Sequence, residues 1–190
     1  MKRKIVTSQT PLGRRNINNT PLGEFLRESN LIESEKSSIA ITDAIAAWQY
    51  LKSRHIVTPE VILEVHRLLG KHIAPQIAGK WRNCDVWIGG QKKWFISEAL
   101  IKEQVTTLCA SIKESIKAAS KYTSEEHDET CKRMHILFED IHPFVDINGR
   151  TGRHIWQWHR LHMGLPIKVI HADYPKEGGE CDTYYKWFRE

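Results

Sequence analysis

The stretch from Ile141 to Arg153 holds most of the chemistry this sequence can perform. It reads Ile-His-Pro-Phe-Val-Asp-Ile-Asn-Gly-Arg-Thr-Gly-Arg. Arg150 and Arg153 fall three apart in the first turn of a predicted helix, so they point the same way. Cations at a helix start oppose the helix dipole. An anion between them removes the conflict, because the free backbone N–H groups of the helix start also bind it. Two guanidinium forks plus a helix N-terminus suit a polyphosphate better than a single phosphate. Asp146 lies in the same loop, and one carboxylate beside bound phosphates is a common way to hold Mg²⁺. His142, at the end of the preceding helix, can take a proton near neutral pH. Base, metal carboxylate, anion cradle and two arginines are parts for phosphoryl or nucleotidyl transfer. Taken singly, each residue could serve an ordinary helix start with arginines pairing surface acids.

The elements that must hold this loop are mostly helical. Thr20-Pro21 opens a short helix with Leu22, Phe25 and Leu26, running to about Leu31. A second spans about 36–53, with Ile41, Ala44, Ile45, Trp48 and Leu51 on one face. Thr58-Pro59-Glu60 starts a third. Between 84 and 97 the period changes to two, with Val86 and Ile88 facing Trp94 and Ile96 across Gly89-Gly90-Gln91, which predicts a β-hairpin. Ser97-Glu98 caps a long helix carrying Ile101, Val105, Leu108, Ile112 and Ile116. Ser124 opens another, ending near Ile141 because Pro143 disfavours the α region at His142. Asn148-Gly149 starts a helix reaching about Met163, where Gly164-Leu165-Pro166 stops it. A last short helix carries Tyr184, Tyr185, Trp187 and Phe188. The predicted class is mainly α with one β-hairpin.

The chain has 190 residues, of which 41% are hydrophobic and 27% charged, with seven Trp. That is no disordered composition, and a chain of this length can bury about 70% of its surface around one core. Cys84, Cys109, Cys131 and Cys181 form no CxxC pair and match no zinc spacing. They read as reduced structural thiols of a cytoplasmic protein. The basic start lacks an apolar run for a signal peptide, and no stretch reaches the length of a membrane span. The formal net charge of +5 hints at an anionic partner.

The loop resembles the signature of the Fic family, His-Pro-Phe-x-[Asp/Glu]-Gly-Asn-Gly-Arg-x-x-Arg. His142, Pro143, Phe144, Asp146, Asn148, Gly149, Arg150 and Arg153 match it, and Ile147 stands at the usual Gly. Gly79-Lys80-Trp81-Arg82 leading into Val86-Trp87-Ile88 resembles the run into the family's flap, and Leu165-Pro166 through Tyr184-Tyr185 its tail. The resemblance implies a Fic-type helical bundle that moves a nucleoside monophosphate, usually AMP from ATP, to a protein Ser, Thr or Tyr hydroxyl. By position, His142 would deprotonate that hydroxyl and Asp146 would hold Mg²⁺. Asn148 and Gly149 would cradle the α-phosphate, Arg150 would bind the β-phosphate and Arg153 the γ-phosphate. Phe144 would pack inward. The flap, Val86, Trp87, Ile88, Gly89 and Gly90, would pair with the backbone of an unknown target protein.

Ser29-Asn30-Leu31-Ile32-Glu33-Ser34 resembles the family's N-terminal inhibitory motif, [Ser/Thr]-x-x-x-Glu-[Gly/Asn], with Ser34 at the last place. The resemblance implies that Glu33 occupies Arg153 in competition with the γ-phosphate, with Ser29 capping the segment. It divides the chain into residues 1–35, an arm and inhibitory helix, and 36–190, the catalytic core. A homo-oligomer is left open, and no membrane partner is expected.

Ile147 leaves two readings, because a β-branched residue at positive φ is an outlier whereas Gly is not. Either the loop holds Ile in an ordinary conformation or the anion cradle is altered. The Doc branch of the family transfers phosphate, so a Doc-like phosphotransferase, or removal of AMP on the same site, stands as the alternative. Two rivals lie outside the family. His135, Glu139 and His142 share a helical face and could serve a metal-dependent hydrolase. Net charge with Trp156 and Trp158 could serve a nucleic-acid-binding module, but the basic residues form no dense stripe and the Trp read as core.

Overall fold

The computed structural model describes residues 19–86, 97–173 and 178–188. In chain order its helices are α1 (Pro21–Leu31), α2 (Ser38–Lys52), α3 (Pro59–Gly70), α4 (Ile101–Ala118), α5 (Ser124–Ile141), α6 (Asn148–His162) and α7 (Glu180–Lys186). Short 3-10 turns, Glu98–Leu100 and Ala119–Lys121, flank α4. No strand occurs among the described residues. The predicted hairpin depends on residues 87–96, which lie outside them; Val86 is partly buried and in no strand.

Local signals set most boundaries. Thr20 Oγ1 accepts the N–H of Gly23 at 3.1 Å, and Thr58 Oγ1 that of Val61 at 3.3 Å. Each satisfies one orphan donor of a first turn that begins on proline. Thr123, one residue before the expected start, caps α5. Its hydroxyl accepts from Glu126 N at 3.3 Å while Glu126 Oε2 accepts from Thr123 N at 2.7 Å, a reciprocal capping box. Ser97 makes no cap bond, and the chain enters α4 through the 3-10 turn instead.

Helix α6 is the centre of the bundle. Every residue from Arg150 to Arg160 is buried, and α1 to α5 all touch it. Gly152 allows α5 its close approach: a Cβ there would meet Phe138 Cδ1 at 2.8 Å and His135 Cε1 at 2.9 Å. The main core joins Leu26 and Trp48 to Ile62, Val65, Leu108, Phe138, Phe144 and Trp158. Helix α1 belongs to it, with Phe25 edge-on to Trp48 at 6.2 Å. Trp156 lies in a second cluster with Cys131, Leu165 and Tyr184, so both Trp of α6 are core residues. Cys109, Cys131 and Cys181 are buried free thiols, and Cys84 is an exposed one. Among the described residues, no helix is long and apolar enough to cross a membrane.

Candidate active site

Helix α5 ends on a bond from His142 N to Phe138 O at 3.0 Å, and His142 then turns left-handed at φ 46°, ψ 62°. The following proline blocks helix continuation. Its Nδ1 lies 3.3 Å from the Glu139 carbonyl, which can only accept, so Nδ1 carries the proton and Nε2 is the basic nitrogen.

The next residues are fixed from three sides. Phe144 is fully buried and stacks with His66 at 3.7 Å and Trp81 at 5.0 Å. Asn148 clamps it, Oδ1 accepting from Phe144 N at 2.9 Å and Nδ2 donating to Phe144 O at 2.8 Å. The Asn148 side chain is therefore spent on the loop. His66 Nδ1 accepts from Gly79 N at 2.9 Å, so Nε2 donates to the Asp146 carbonyl at 3.1 Å. Burial pushes the His66 ring down to about 4, which keeps it neutral in this role. The exposed Asp146 turns Oδ1 onto the N–H of Ile147 at 2.6 Å.

Ile147 is not in an ordinary conformation: it adopts the left-handed region, φ 64° and ψ 15°. Its side chain is 3% exposed within the main core, so packing holds a backbone that isoleucine otherwise avoids. Ile147→Gly is expected to relieve that strain but empty a core position, with a net loss of about 2 kcal/mol. Urea unfolding of the variant checks this.

No side chain caps α6, so the N–H groups of Asn148, Gly149 and Arg150 are open to an anion. The carboxylate of Glu33 lies against Gly149: a Cβ on Gly149 would collide with Glu33 Oε1 and press on Arg153 Nη1. Arg153 Nη2 donates to Glu33 Oε1 at 2.6 Å and to the Ser29 carbonyl at 2.8 Å, and Nε donates to Ser29 Oγ at 3.0 Å. Ser29 thus holds Arg153 rather than capping its own segment, as the sequence had suggested. Arg150 is buried and its Nε finds no partner among the described residues. Burial lowers its pKa, and Glu33 and Asp146 pull it back.

Glu33 is aimed by the end of α1. Ser34 takes φ 58°, and the bonds Ser34 N to Leu31 O at 2.8 Å and Glu35 N to Asn30 O at 3.0 Å close the helix. A left-handed residue is why Gly or Asn suits this place better than Ser. Ser34→Gly is expected to add about 1 kcal/mol of stability, measured as a rise in the thermal midpoint.

Tyr184 and Arg82 were not singled out as site residues from sequence, and Glu139 only in the rival metal trio. Tyr184 of α7 accepts from Arg153 Nη1 at 3.2 Å and bonds His135 Nε2 at 2.9 Å. Burial holds its phenol well above the ordinary range, so it remains a neutral O–H. Arg82 donates through Nε to the His142 carbonyl at 2.7 Å. Glu139 lies beside His142, Nδ1 to Oε2 at 3.8 Å. The rival metal trio is not gathered on a centre: His135 Nε2 is taken by Tyr184, and His142 Nδ1 by a carbonyl. Among the described residues no three His, Cys, Asp or Glu could hold a metal together. Of the expected flap residues, Trp87, Ile88, Gly89 and Gly90 lie outside the described residues.

Comparison with known proteins adds family and fold. The model of the Fic/DOC family matches residues 56–159. The protein adenylyltransferase Fic of Drosophila yakuba is 26% identical over 140 residues, covering 70% of this chain and 24% of its own length. That of Drosophila virilis is 28% identical over 134 residues, covering 70% and 25%. The chain therefore spans about a quarter of the length of these relatives. A Fic-domain-containing signalling protein from Bacteroides thetaiotaomicron shares the fold at TM-score 0.66 and 19% identity, over 79% of this chain and 66% of that one. Fic-1 from C. elegans does so at TM-score 0.59 and 21% identity, over 87% and 50%.

Proposed function

The chain belongs to the Fic/DOC family, and from that premise we propose that it is a protein adenylyltransferase restrained by its own Glu33. ATP would place its α-phosphate on the backbone N–H groups of Asn148 and Gly149. Arg150 would take the β-phosphate and Arg153 the γ-phosphate. His142 Nε2 would accept the proton of a target Ser, Thr or Tyr hydroxyl as that oxygen bonds the α-phosphorus. The bond from the α-phosphorus to the bridging oxygen breaks, and pyrophosphate leaves.

Asp146 suits Mg²⁺: it is exposed, and among the described residues only Oδ1 is engaged, by one N–H. Bound there with ATP, the ion would neutralise phosphate charge. The target would dock by strand addition along Val86, Trp87, Ile88, Gly89 and Gly90. On this reading residues 1–35 are the regulatory segment and 36–190 the catalytic core. The unpaired thiols fit a reducing, cytoplasmic setting.

The observation that carries the reading is the Glu33 carboxylate, an internal anion lodged against Gly149 and bonded to Arg153 at 2.6 Å. It occupies the place a terminal phosphate would need. The test incubates wild type, Glu33→Gly and Glu33→Gly/His142→Ala with Mg²⁺, lysate and ATP labelled at the α or the γ position. Label on protein from the α position, lost with His142, is expected. Label from the γ position alone would replace adenylyl transfer with Doc-like phosphoryl transfer.

A further inference from the structure

His142 has a conformation that its sequence position disfavours twice. It is a non-glycine residue at φ 46°, ψ 62°, and it precedes a proline, which favours extended backbone. The orientation of its ring depends on this turn, because Nδ1 reaches the Glu139 carbonyl one turn back at 3.3 Å.

Something must hold the turn, and Arg82 is placed to do so. It is 3% exposed. Nε donates to the His142 carbonyl at 2.7 Å, Nη2 to the Ile141 carbonyl at 3.4 Å, and Nη1 to the Cys84 carbonyl at 3.1 Å. Its own backbone N–H donates to the Pro143 carbonyl at 2.9 Å. Arg82 therefore binds the carbonyls of three successive residues around the turn. A cation at these carbonyls also complements the negative end of α5. Asp85 and Glu98 act on its charge against the cost of burial.

We propose that Arg82 is a positioning residue for the transfer reaction: its guanidinium fork holds the left-handed turn at His142 and so fixes Nε2 as the base. Without the fork the turn relaxes toward the extended backbone favoured before proline, and the ring leaves the Glu139 carbonyl. Lysine keeps the charge but cannot span several carbonyls with one planar group. This inference rests on the transfer reading above.

The test places Arg82→Ala and Arg82→Lys in the Glu33→Gly background. Steady-state labelling, the thermal midpoint and nitrogen NMR of the His142 ring tautomer are measured. In both variants kcat is expected to fall at least 30-fold. KM for ATP should stay within twofold, because Asp146, Arg150 and Arg153 are untouched. The Nδ1–H tautomer of His142 should give way to a mixture. Should Arg82→Ala fail to fold, Arg82→Lys decides alone. Parental kcat and an unchanged tautomer in Arg82→Lys would overturn the proposal. So would a kcat loss matched by equal changes in KM and in the thermal midpoint, which marks a general structural role. Absence of transfer by the Glu33→Gly parent would defeat the transfer reading instead. The tautomer comparison then decides the role of Arg82 by itself: unchanged in Arg82→Lys, it sinks it.

Discussion

Replacing Glu33 by glycine is expected to raise target labelling between about tenfold and a hundredfold, the equivalent of about 1.4–2.8 kcal/mol. On the proposed reading the carboxylate and the γ-phosphate compete for one guanidinium, so the gain equals the stability of the internal pair that ATP no longer has to break. That pair is 2.6 Å long, with the Arg153 side chain 2% exposed and Glu33 33% exposed. Solvent at Glu33 screens the pair and keeps the effect below that of a fully buried bridge. Arg153 stays in place in the variant, because Ser29 and Tyr184 still bind it. ATP should accordingly raise the thermal midpoint more in Glu33→Gly than in wild type, since a ligand stabilises in proportion to its affinity for the fold. Equal labelling rates for the two proteins, with a competent target present, would remove the brake from the mechanism.

The second large effect is acid lability. His66, His135, His154 and His159 are pushed down to about 4, about 3, about 4 and about 4, in each case chiefly by burial. His159 Nε2 bonds Ser115 Oγ at 2.8 Å, and His135 stacks with Trp156 and Tyr184. In the unfolded chain each would titrate near the ordinary 6.5. Above that pH neither state is protonated and the fold loses nothing. Between about 6.5 and 4 the unfolded chain binds protons that the folded chain refuses, so stability falls as pH falls. Four such groups give a slope of about 5 kcal/mol per pH unit, against a total of about 5–15 kcal/mol for a typical protein. Urea unfolding at pH 7.5, 6.5 and 5.5 should show stability nearly level over the first step and collapsing over the second. His159→Gln should shallow that slope by one proton. A slope of zero between pH 6.5 and 5.5 would mean the rings are charged in the fold. His171 runs the other way, raised by Glu24 and Glu180, but it is exposed.

Residues whose placement was legible in the sequence are those whose signal is local. Thr20-Pro21 and Thr58-Pro59 announce their helices within three positions, and Arg150 with Arg153 announces an anion through its conflict with the dipole. The loop motif, being contiguous, carried His142 and Asp146 as well. What escaped depends on pairing across the chain. Ser29 looked like a cap because nothing local reveals a guanidinium 124 residues away. Tyr184 sat in a tail rich in aromatic residues, where core packing and a bond to Arg153 look alike. Arg82 was visible only as part of the Gly-Lys-Trp-Arg run, and its bonds go to backbone carbonyls, which leave no mark in side-chain patterns. Asn148 was assigned to the ligand by the resemblance alone; its amide instead matches the two backbone groups of Phe144. Ile147 shows the converse, a residue type that argues against its own backbone conformation until core burial is added.

Phe25 and Leu26 lie on the helix that leads to Glu33, and both are buried in the main core. Lifting that helix away would expose two large apolar side chains at a cost of about 4 kcal/mol, whereas turning one glutamate outward exposes none. On the proposed reading, then, the restraint works as a catch at the end of a fixed beam and not as a lid. The same coupling constrains how such a chain can change over generations. A single substitution at position 33 frees the site and leaves the beam standing. A deletion that removes residues 1–35 takes part of the foundation with it, so constitutive activity is reached readily by point mutation and poorly by truncation.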